Sequence, residues 1–181
     1  MKGIIFTEFI EFVENKFGFE MSEYIISNSD LNSKGVYTSV GTYDFQEMVK
    51  LFVTLQKKTG IALNQLLETY GNHLFYQFVI MYPEFIDRNK SFYSFVSKID
   101  NYIHIEVKKL YYDSELPQLE VIEDNENEMI MVYKSEKKLA QFALGMLNSA
   151  AEYFNEKVEI SLKYINEDGS EVQFLFKKHH D

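Results

Sequence analysis

The feature that most constrains the fold is a change in the spacing of apolar residues close to Pro117. Before this proline, apolar residues recur every three or four positions, which is the spacing of one face of an amphipathic helix. After it, two segments alternate apolar and polar residues, as half-buried strands do. The change of period predicts an α+β fold in which a helical N-terminal lobe is joined to a small antiparallel sheet with one further helix.

Loop and capping signals divide the helical part. The stretch 28–41 is rich in Asn, Ser and Gly and predicts a loop. Asp44, followed three residues later by Glu47, is typical of a capped helix start, and Gly60 is typical of a helix end. The apolar stripes predict helices over residues 4–17, 22–27, 44–60, 63 to just before Pro83, and a long helix over 92–112.

The rest of the chain predicts the sheet. The spacing indicates strands over 128–133, 158–164 and 172–176, with a helix over 137–154. Asn166-Glu167-Asp168-Gly169 is typical of a hairpin turn. We find neither a repeat nor a flexible linker, so residues 1–181 are expected to form one domain, with a helical lobe of about 1–60 and a second lobe of about 61–181.

Composition excludes several classes of function. The 28 acidic and 18 basic residues give a formal charge of −10, which repels a nucleic-acid backbone. The chain has no cysteine, which excludes disulfides, zinc–thiolate sites, iron–sulfur clusters and cysteine nucleophiles. Glu8 and Glu11 interrupt the apolar start, and the other apolar runs are too short for a membrane span. We therefore expect a cytosolic protein with neither a nucleic-acid nor a membrane partner.

Few residues suggest chemistry by themselves. The acidic run 123–128 and the turn 166–168 lack the ligand spacing of a calcium loop. Gly71 interrupts a strong helix at a cost of about 1 kcal/mol relative to alanine. Either a neighbouring helix or a flat ligand needs that space, and the sequence leaves both readings open.

The four histidines differ in their setting. His179 and His180 belong to a polar tail, and His73 is expected to be half-exposed on a helix. His104 lies about 60° around its helix from Val107, at the edge of the apolar stripe. Two interpretations remain open for it: a hydrogen-bonded histidine at the core boundary, or a ligand of a metal or haem.

Four segments, taken in order, resemble the H-NOX family. They are Met1-Lys2-Gly3-Ile4-Ile5-Phe6, Tyr102-Ile103-His104-Ile105-Glu106-Val107, Leu116-Pro117 and Tyr133-Lys134-Ser135-Glu136-Lys137. H-NOX proteins bind haem with nitric oxide or oxygen, and are related to the haem domain of soluble guanylate cyclase. The resemblance covers nearly the whole chain and is to the bacterial stand-alone type. It implies that haem b with ferrous iron lies between the two lobes.

The resemblance also implies roles for individual residues. His104 would be the only protein ligand of the iron, and Pro117 would press against the haem. Tyr133, Ser135 and Lys137 would bind the haem propionates. The family has arginine where this chain has Lys137, and lysine offers a point charge instead of a planar fork, so we expect a looser propionate anchor. Lys134 or Lys138 would replace Lys137 if the register shifted.

The resemblance implies which residues select the gas. The distal wall would come from Ile5, Phe9, Leu74, Phe78, Phe142 and Met146. Family members that hold oxygen stably have a tyrosine where this chain has Phe142. Bound oxygen carries partial negative charge and needs a hydrogen-bond donor in a dry pocket, whereas nitric oxide does not. We therefore expect binding of nitric oxide and carbon monoxide and poor binding of oxygen, with Tyr70 or Tyr76 able to help only if their helix rotated.

The function that follows is that of a non-catalytic sensor. Nitric oxide would bind opposite His104, weaken the bond between iron and histidine, and shift the lobes. The family implies a signalling enzyme as partner, such as a histidine kinase or a cyclic-di-GMP enzyme. The main alternative is a haem-free interaction module that uses its apolar cleft for a partner helix or a lipid. A haem enzyme is a third alternative, which the lack of distal polar groups disfavours.

Overall fold

The computed structural model describes residues 1–178, so His179 and His180 lie outside the described residues. This part of the chain contains eight α-helices and one π-helical turn. They are α1 (Gly3–Phe17), α2 (Phe19–Asn28), α3 (Phe45–Thr59), α4 (Leu63–Met81), α5 (Pro83–Asp87), α6 (Phe92–Val96), the π-helical turn (Ile99–Ile103), α7 (His104–Leu110) and α8 (Ala140–Tyr153).

Four strands form one antiparallel sheet in the order β1-β2-β4-β3. They are β1 (Gln118–Asp124), β2 (Glu128–Lys134), β3 (Val158–Tyr164) and β4 (Glu171–Lys178). The hairpin between β3 and β4 pairs Tyr164 with Val172, as the alternation and the turn residues predict. The predicted α+β fold, with N-terminal helices and a small sheet carrying one helix, is confirmed.

The sequence analysis missed β1, which is an edge strand. Only Leu119 and Val121 are partly covered on its otherwise exposed surface, and its register slips between Val121 and Glu123. An edge strand with one irregularity and little burial leaves a weak alternation signal, because the sheet stabilises it through backbone hydrogen bonds.

The long helix predicted over 92–112 is wrong, because the structure divides it. Helix α6 ends at Val96, and the backbone N–H groups of Tyr102 and Ile103 both donate to the carbonyl of Lys98 at 3.0 Å. This π-helical turn directly precedes His104. A π-helical turn inserts one residue into a helix, and this changes the spacing of apolar residues too little to be recognised in the sequence. Such turns are frequent at functional sites.

Two apolar cores meet along α4. The first joins α1, α3 and the first part of α4, where Leu74 is fully buried. The second lies between the sheet and α8 and begins on α4 at Phe75. Consecutive residues of one helix therefore face different cores, and the boundary between the lobes runs through this helix.

Two glycines allow α4 and α8 to pack closely. A Cβ atom on Gly71 would lie 2.1 Å from the carbonyl oxygen of Phe142, and one on Gly145 would lie 1.9 Å from that of Glu68. Both distances are far below van der Waals contact. Of the two readings left open for Gly71, the neighbouring helix is the one the structure supports.

Candidate haem site

An apolar cavity of about 290 Å³ lies where the two cores meet. Its wall is assembled from α1, from α3 to α7 with the π-helical turn, from the segment after α7, and from β1, β2 and α8. Among the residues that line it are Ile5, Leu74, Phe78, His104, Pro117, Tyr133, Ser135, Lys137, Phe142 and Met146. Residues far apart in the sequence, which the motifs singled out separately, thus face one space.

His104 is the first residue of α7, and its side chain is 15% exposed. Its Nδ1 lies 3.1 Å from the Asp100 carboxylate on the π-helical turn. Burial lowers the pKa of His104, and Asp100 opposes part of that effect. At neutral pH the imidazole is therefore mainly neutral, with Nδ1–H donating to Asp100 and Nε2 left as the lone-pair nitrogen.

Tyr133 and Ser135 lie at the end of β2, where the chain turns towards α8. The Tyr133 hydroxyl oxygen accepts the backbone N–H of Leu139 at 3.2 Å, and Ser135 Oγ accepts that of Lys137 at 3.2 Å. Each hydroxyl accepts a bond here and keeps its own proton to donate. Burial raises the Tyr133 pKa, so this hydroxyl stays protonated.

Lys137 completes the polar end of the cavity. Its side chain is only 19% exposed, and its Nζ lies 2.5 Å from Glu115 Oε2. The hydrogen bond from Lys137 lowers the pKa of Glu115. An ammonium group that lines the same cavity as two hydroxyls can bind a carboxylate, and in this structure Glu115 supplies one.

The neighbouring lysines have other partners. Lys134 pairs with Glu171 at 3.0 Å, and Lys138 pairs with Asp168 at 3.1 Å. Neither of these two lysines is among the residues that line the cavity, whereas Lys137 is. The register of the motif therefore places Lys137 at the site.

The proposed distal wall is apolar, with one tyrosine close to it. Tyr70 lines the cavity and is 1% exposed, and its hydroxyl donates to the backbone carbonyl of Ile5 at 2.6 Å. Phe9 lies behind Tyr70 with ring centroids 5.2 Å apart and is not among the residues that line the cavity. Tyr76 reaches the surface, where its hydroxyl donates to Glu152.

The sequence analysis missed two residues at this site, Asp100 and Glu115, and expected a third, Tyr70, to lie away from it. Asp100 stands four positions before His104, a helical spacing that could have indicated the pair. Tyr70 was expected to matter only after a rotation of its helix, yet it lines the cavity in the observed packing. No sequence pattern indicated Glu115, because only the folded chain brings it to Lys137.

These groups fit a haem better than a bare metal ion. Within residues 1–178 no three metal-ligating side chains cluster together. A single neutral imidazole is the donor that suits an iron already held by a macrocycle. The apolar space between the lobes suits a flat apolar ring, and the polar end suits its carboxylates. The chemistry of the donor set is therefore that of a haem pocket.

The comparisons with known proteins identify the family and the fold. A family model described as haem-NO-binding matches residues 2–162. The chain belongs to the H-NOX family. No curated protein sequence matched this H-NOX chain.

Solved H-NOX structures have the same fold. The ferrous unliganded H-NOX protein from K. algicida is 45% identical with a TM-score of 0.95, over 100% of this chain and 98% of that chain. The H-NOX from Shewanella woodyi, bound to IWP-051 in the Fe(II)CO state, is 35% identical with a TM-score of 0.85, over 99% and 95%. An S. oneidensis H-NOX protein in the Fe(II)NO state, 24% identical with a TM-score of 0.91 over 99% and 100%, supports the fold alone.

One further finding concerns membranes. Among the described helices of this H-NOX chain, none is both long and apolar enough to cross a bilayer.

Proposed function

We propose that this H-NOX protein binds ferrous haem b and senses nitric oxide, without catalysing a reaction. One observation carries the proposal: His104, whose Nδ1 lies 3.1 Å from the Asp100 carboxylate, lines the same apolar cavity as Phe142. Ferrous haem supplies an open coordination position for a diatomic gas when it is bound. The residues of the chain would then determine how the haem is held and which gas remains bound to it.

His104 would hold the iron through Nε2, while Asp100 keeps the proton on Nδ1. Tyr133 and Ser135 would donate hydrogen bonds to the propionates, and Lys137 would add charge. A lysine binds a carboxylate through a point charge instead of a fork, so this anchor is looser than one made by arginine.

The distal side would favour nitric oxide and carbon monoxide over oxygen. Leu74, Phe78 and Phe142 offer no hydrogen-bond donor, and the hydroxyl of Tyr70, which lines the cavity with them, is bound to the Ile5 carbonyl. Oxygen needs such a donor to offset its partial charge in a dry site. The proposed selectivity therefore rests on the apolar side chains of Leu74, Phe78 and Phe142 and on the hydrogen bond that holds the Tyr70 hydroxyl to the Ile5 carbonyl.

Signalling would begin when nitric oxide weakens the hold of the iron on His104. Helix α7 would then be free to move, contact at Pro117 would relax, and the two lobes would shift. Nitric oxide must favour one lobe arrangement over the other for any signal to pass. We further propose, on the family resemblance, that the partner is a signalling enzyme such as a histidine kinase or a cyclic-di-GMP enzyme.

One observation favours a second candidate, a haem-free interaction module. Glu115 already forms an ion pair with Lys137, and the cavity is apolar enough to accept a helix or a lipid chain. In this case the charged end of the cavity would be complete without a cofactor.

The absorption spectrum of the chain, purified with haem available and then reduced, distinguishes the two. We expect a haem band that changes on addition of nitric oxide and forms no lasting complex in air. Replacement His104→Gly should abolish haem retention unless imidazole is added, whereas His73→Gln should retain it. Unchanged haem binding by the His104 variant would overturn the ligand assignment, and no haem in the parent chain would favour the interaction module. A lasting complex in air would overturn the proposed gas selectivity.

A further inference from the structure

The segment between α7 and β1, here called the connector (residues 111–117), is hydrogen-bonded to the N-terminal lobe through the Asp113 carboxylate. Asp113 Oδ1 accepts from Lys2 Nζ at 3.0 Å, and Asp113 Oδ2 accepts from Thr42 Oγ1 at 2.6 Å. The two partners lie 111 and 71 residues away in the sequence. One side chain therefore joins three distant segments, and we call Asp113, Lys2 and Thr42 the latch.

The two partners of Asp113 belong to a single hydrogen-bonded unit. Lys2 and Thr42 form an antiparallel bridge, and Lys2 Nζ also donates to Thr42 Oγ1 at 2.8 Å and to the Val40 carbonyl at 2.9 Å. The backbone N–H of Gly3 donates to the Gly41 carbonyl at 2.8 Å. The start of α1 and the loop before α3 are thus held together, and a force on Asp113 acts on both.

This unit reaches the cavity within one turn of helix. Ile5, two residues after the first residue of α1, lines the cavity, and its carbonyl accepts the Tyr70 hydroxyl. Lys2 itself lines the cavity and is 12% exposed. A displacement of the latch therefore moves part of the cavity wall.

The connector is also attached to the rest of the molecule at its two ends. The Tyr111 hydroxyl lies 2.9 Å from that of Tyr82 at the end of α4, and Glu115 pairs with Lys137 beside α8. Asp113, between them, makes the attachment to the N-terminal lobe. The Lys2 ammonium lies 5.6 Å from the Tyr111 ring centroid, which adds a cation–π contact to the junction.

The charge state of the latch favours a closed contact. The hydrogen bond from Thr42, and then that from Lys2, lower the pKa of Asp113, so it is ionised at neutral pH. Charge-assisted hydrogen bonds of this kind are shorter and stronger than neutral ones.

We propose that Asp113 is the positioning residue that couples α7 to the N-terminal lobe. Through Lys2 and Thr42 it holds the start of α1 against the connector, and a movement of α7 is passed by this contact to Ile5. The latch is independent of any cofactor, while its trigger, the release of His104, rests on the proposed function.

The test uses a chain that has no cysteine of its own. Cysteines that replace the exposed residues Glu23 on α2 and Lys163 on β3 carry spin labels. Pulsed electron paramagnetic resonance measures the distance between the two labels, one on each lobe. Asp113→Asn removes the charge, and Thr42→Val removes one contact with little change of shape. Asp124→Asn is the matched control, because Asp124 pairs with Lys178 inside the sheet lobe.

In the haem-free chain we expect both latch variants to shift or broaden the distance distribution by about 2 Å or more, while Asp124→Asn leaves it unchanged. A distribution in both latch variants that matches the parent would overturn the proposal. If Asp113→Asn does not fold, the Thr42→Val measurement decides.

The same labels then report on coupling in the ferrous haem-loaded chain. Nitric oxide should shift the parent distance, and Asp113→Asn should show the same absorption change with at least half of that shift lost. A full shift in the variant would overturn the coupling role. A parent chain that takes up no haem would contradict the proposed function, and the haem-free distances would still decide the latch.

Discussion

The Glu115 carboxylate lies 2.5 Å from the Lys137 ammonium, at the polar end of the cavity. The chain thus places a carboxylate of its own on the lysine that we expect to bind a haem propionate. Lys137 is 19% exposed and Glu115 is 73% exposed, so Glu115 can leave for solvent while Lys137 stays. Loading of the cofactor would then exchange one carboxylate for another.

Replacement Glu115→Gln should therefore act in opposite directions on the two forms of the protein. The haem-free chain should lose a little stability, because an ion pair is removed. The haem-loaded chain should release haem about two- to fivefold more slowly, since Lys137 is left to the propionate. Transfer of haem to excess apomyoglobin measures the release rate, and thermal unfolding measures the stability.

Glu120→Gln provides the matched control, since Glu120 is an exposed carboxylate on β1. It removes the same charge and should leave the haem release rate unchanged. Faster release from Glu115→Gln than from the parent would show that Glu115 supports the propionate site instead of competing for it.

Tyr70→Phe should cost stability without changing gas selectivity. The variant loses the hydrogen bond from Tyr70 to the Ile5 carbonyl, which is worth about 1 kcal/mol net. Because that hydroxyl is already bound, its removal takes no donor away from a gas in the cavity. Urea unfolding checks the loss, and spectra in air and nitric oxide check the selectivity. A change in oxygen binding would show that the hydroxyl turns towards the cavity.

Gly145→Ala should weaken the contact between α4 and α8. The new Cβ would meet the backbone carbonyl of Glu68 at 1.9 Å, and a backbone atom cannot rotate away. Overpacking of this kind costs about 1–3 kcal/mol, against which alanine recovers about 1 kcal/mol in helix propensity. Chemical denaturation should show a net loss, whereas Asn72→Ala, at a half-buried site on α4, should be neutral or slightly stabilising. Equal stability of both variants would contradict this account of the close packing.

Glu8 and His73 form a partly buried pair in which no hydrogen bond joins the two side chains. Glu8 Oε2 and His73 Nε2 are 3.8 Å apart, too far for a hydrogen bond, and neither atom has a hydrogen-bond partner among the described residues. Burial, with a smaller contribution from Glu11, raises the pKa of Glu8, and burial lowers that of His73. Both shifts favour the neutral forms.

This arrangement predicts a pH dependence with a definite sign. Above the ordinary glutamate pKa of 4.5, the folded chain keeps a proton on Glu8 that the unfolded chain has lost, so the Glu8 contribution to stability falls as pH rises towards the raised value. Glu8→Gln cannot ionise, so its stability relative to the parent should increase over this interval. Urea unfolding between about pH 4.5 and 7 measures the difference. Glu23→Gln, at an exposed site, should show no such trend, and a flat difference for Glu8→Gln would contradict the burial argument.

The sequence by itself determined the class of fold and singled out His104 as the candidate iron ligand. Helical spacing marks the buried faces of α1, α3 and α4, and strict alternation marks β3 and β4, because each local period is imposed by one buried side. The position of His104 at the edge of an apolar stripe is likewise a local property. The prediction of its role came from a resemblance spread over four short segments.

Only the tertiary structure decided how these parts meet. The π-helical turn before His104 and the edge strand β1 depend on backbone hydrogen bonds that side-chain patterns do not encode. The contacts of Asp113 with Lys2 and of Glu115 with Lys137 join residues far apart in the chain. A charged residue looks the same in sequence whether it faces water or a distant partner, because its pairing is set by the packing of two lobes and not by its neighbours.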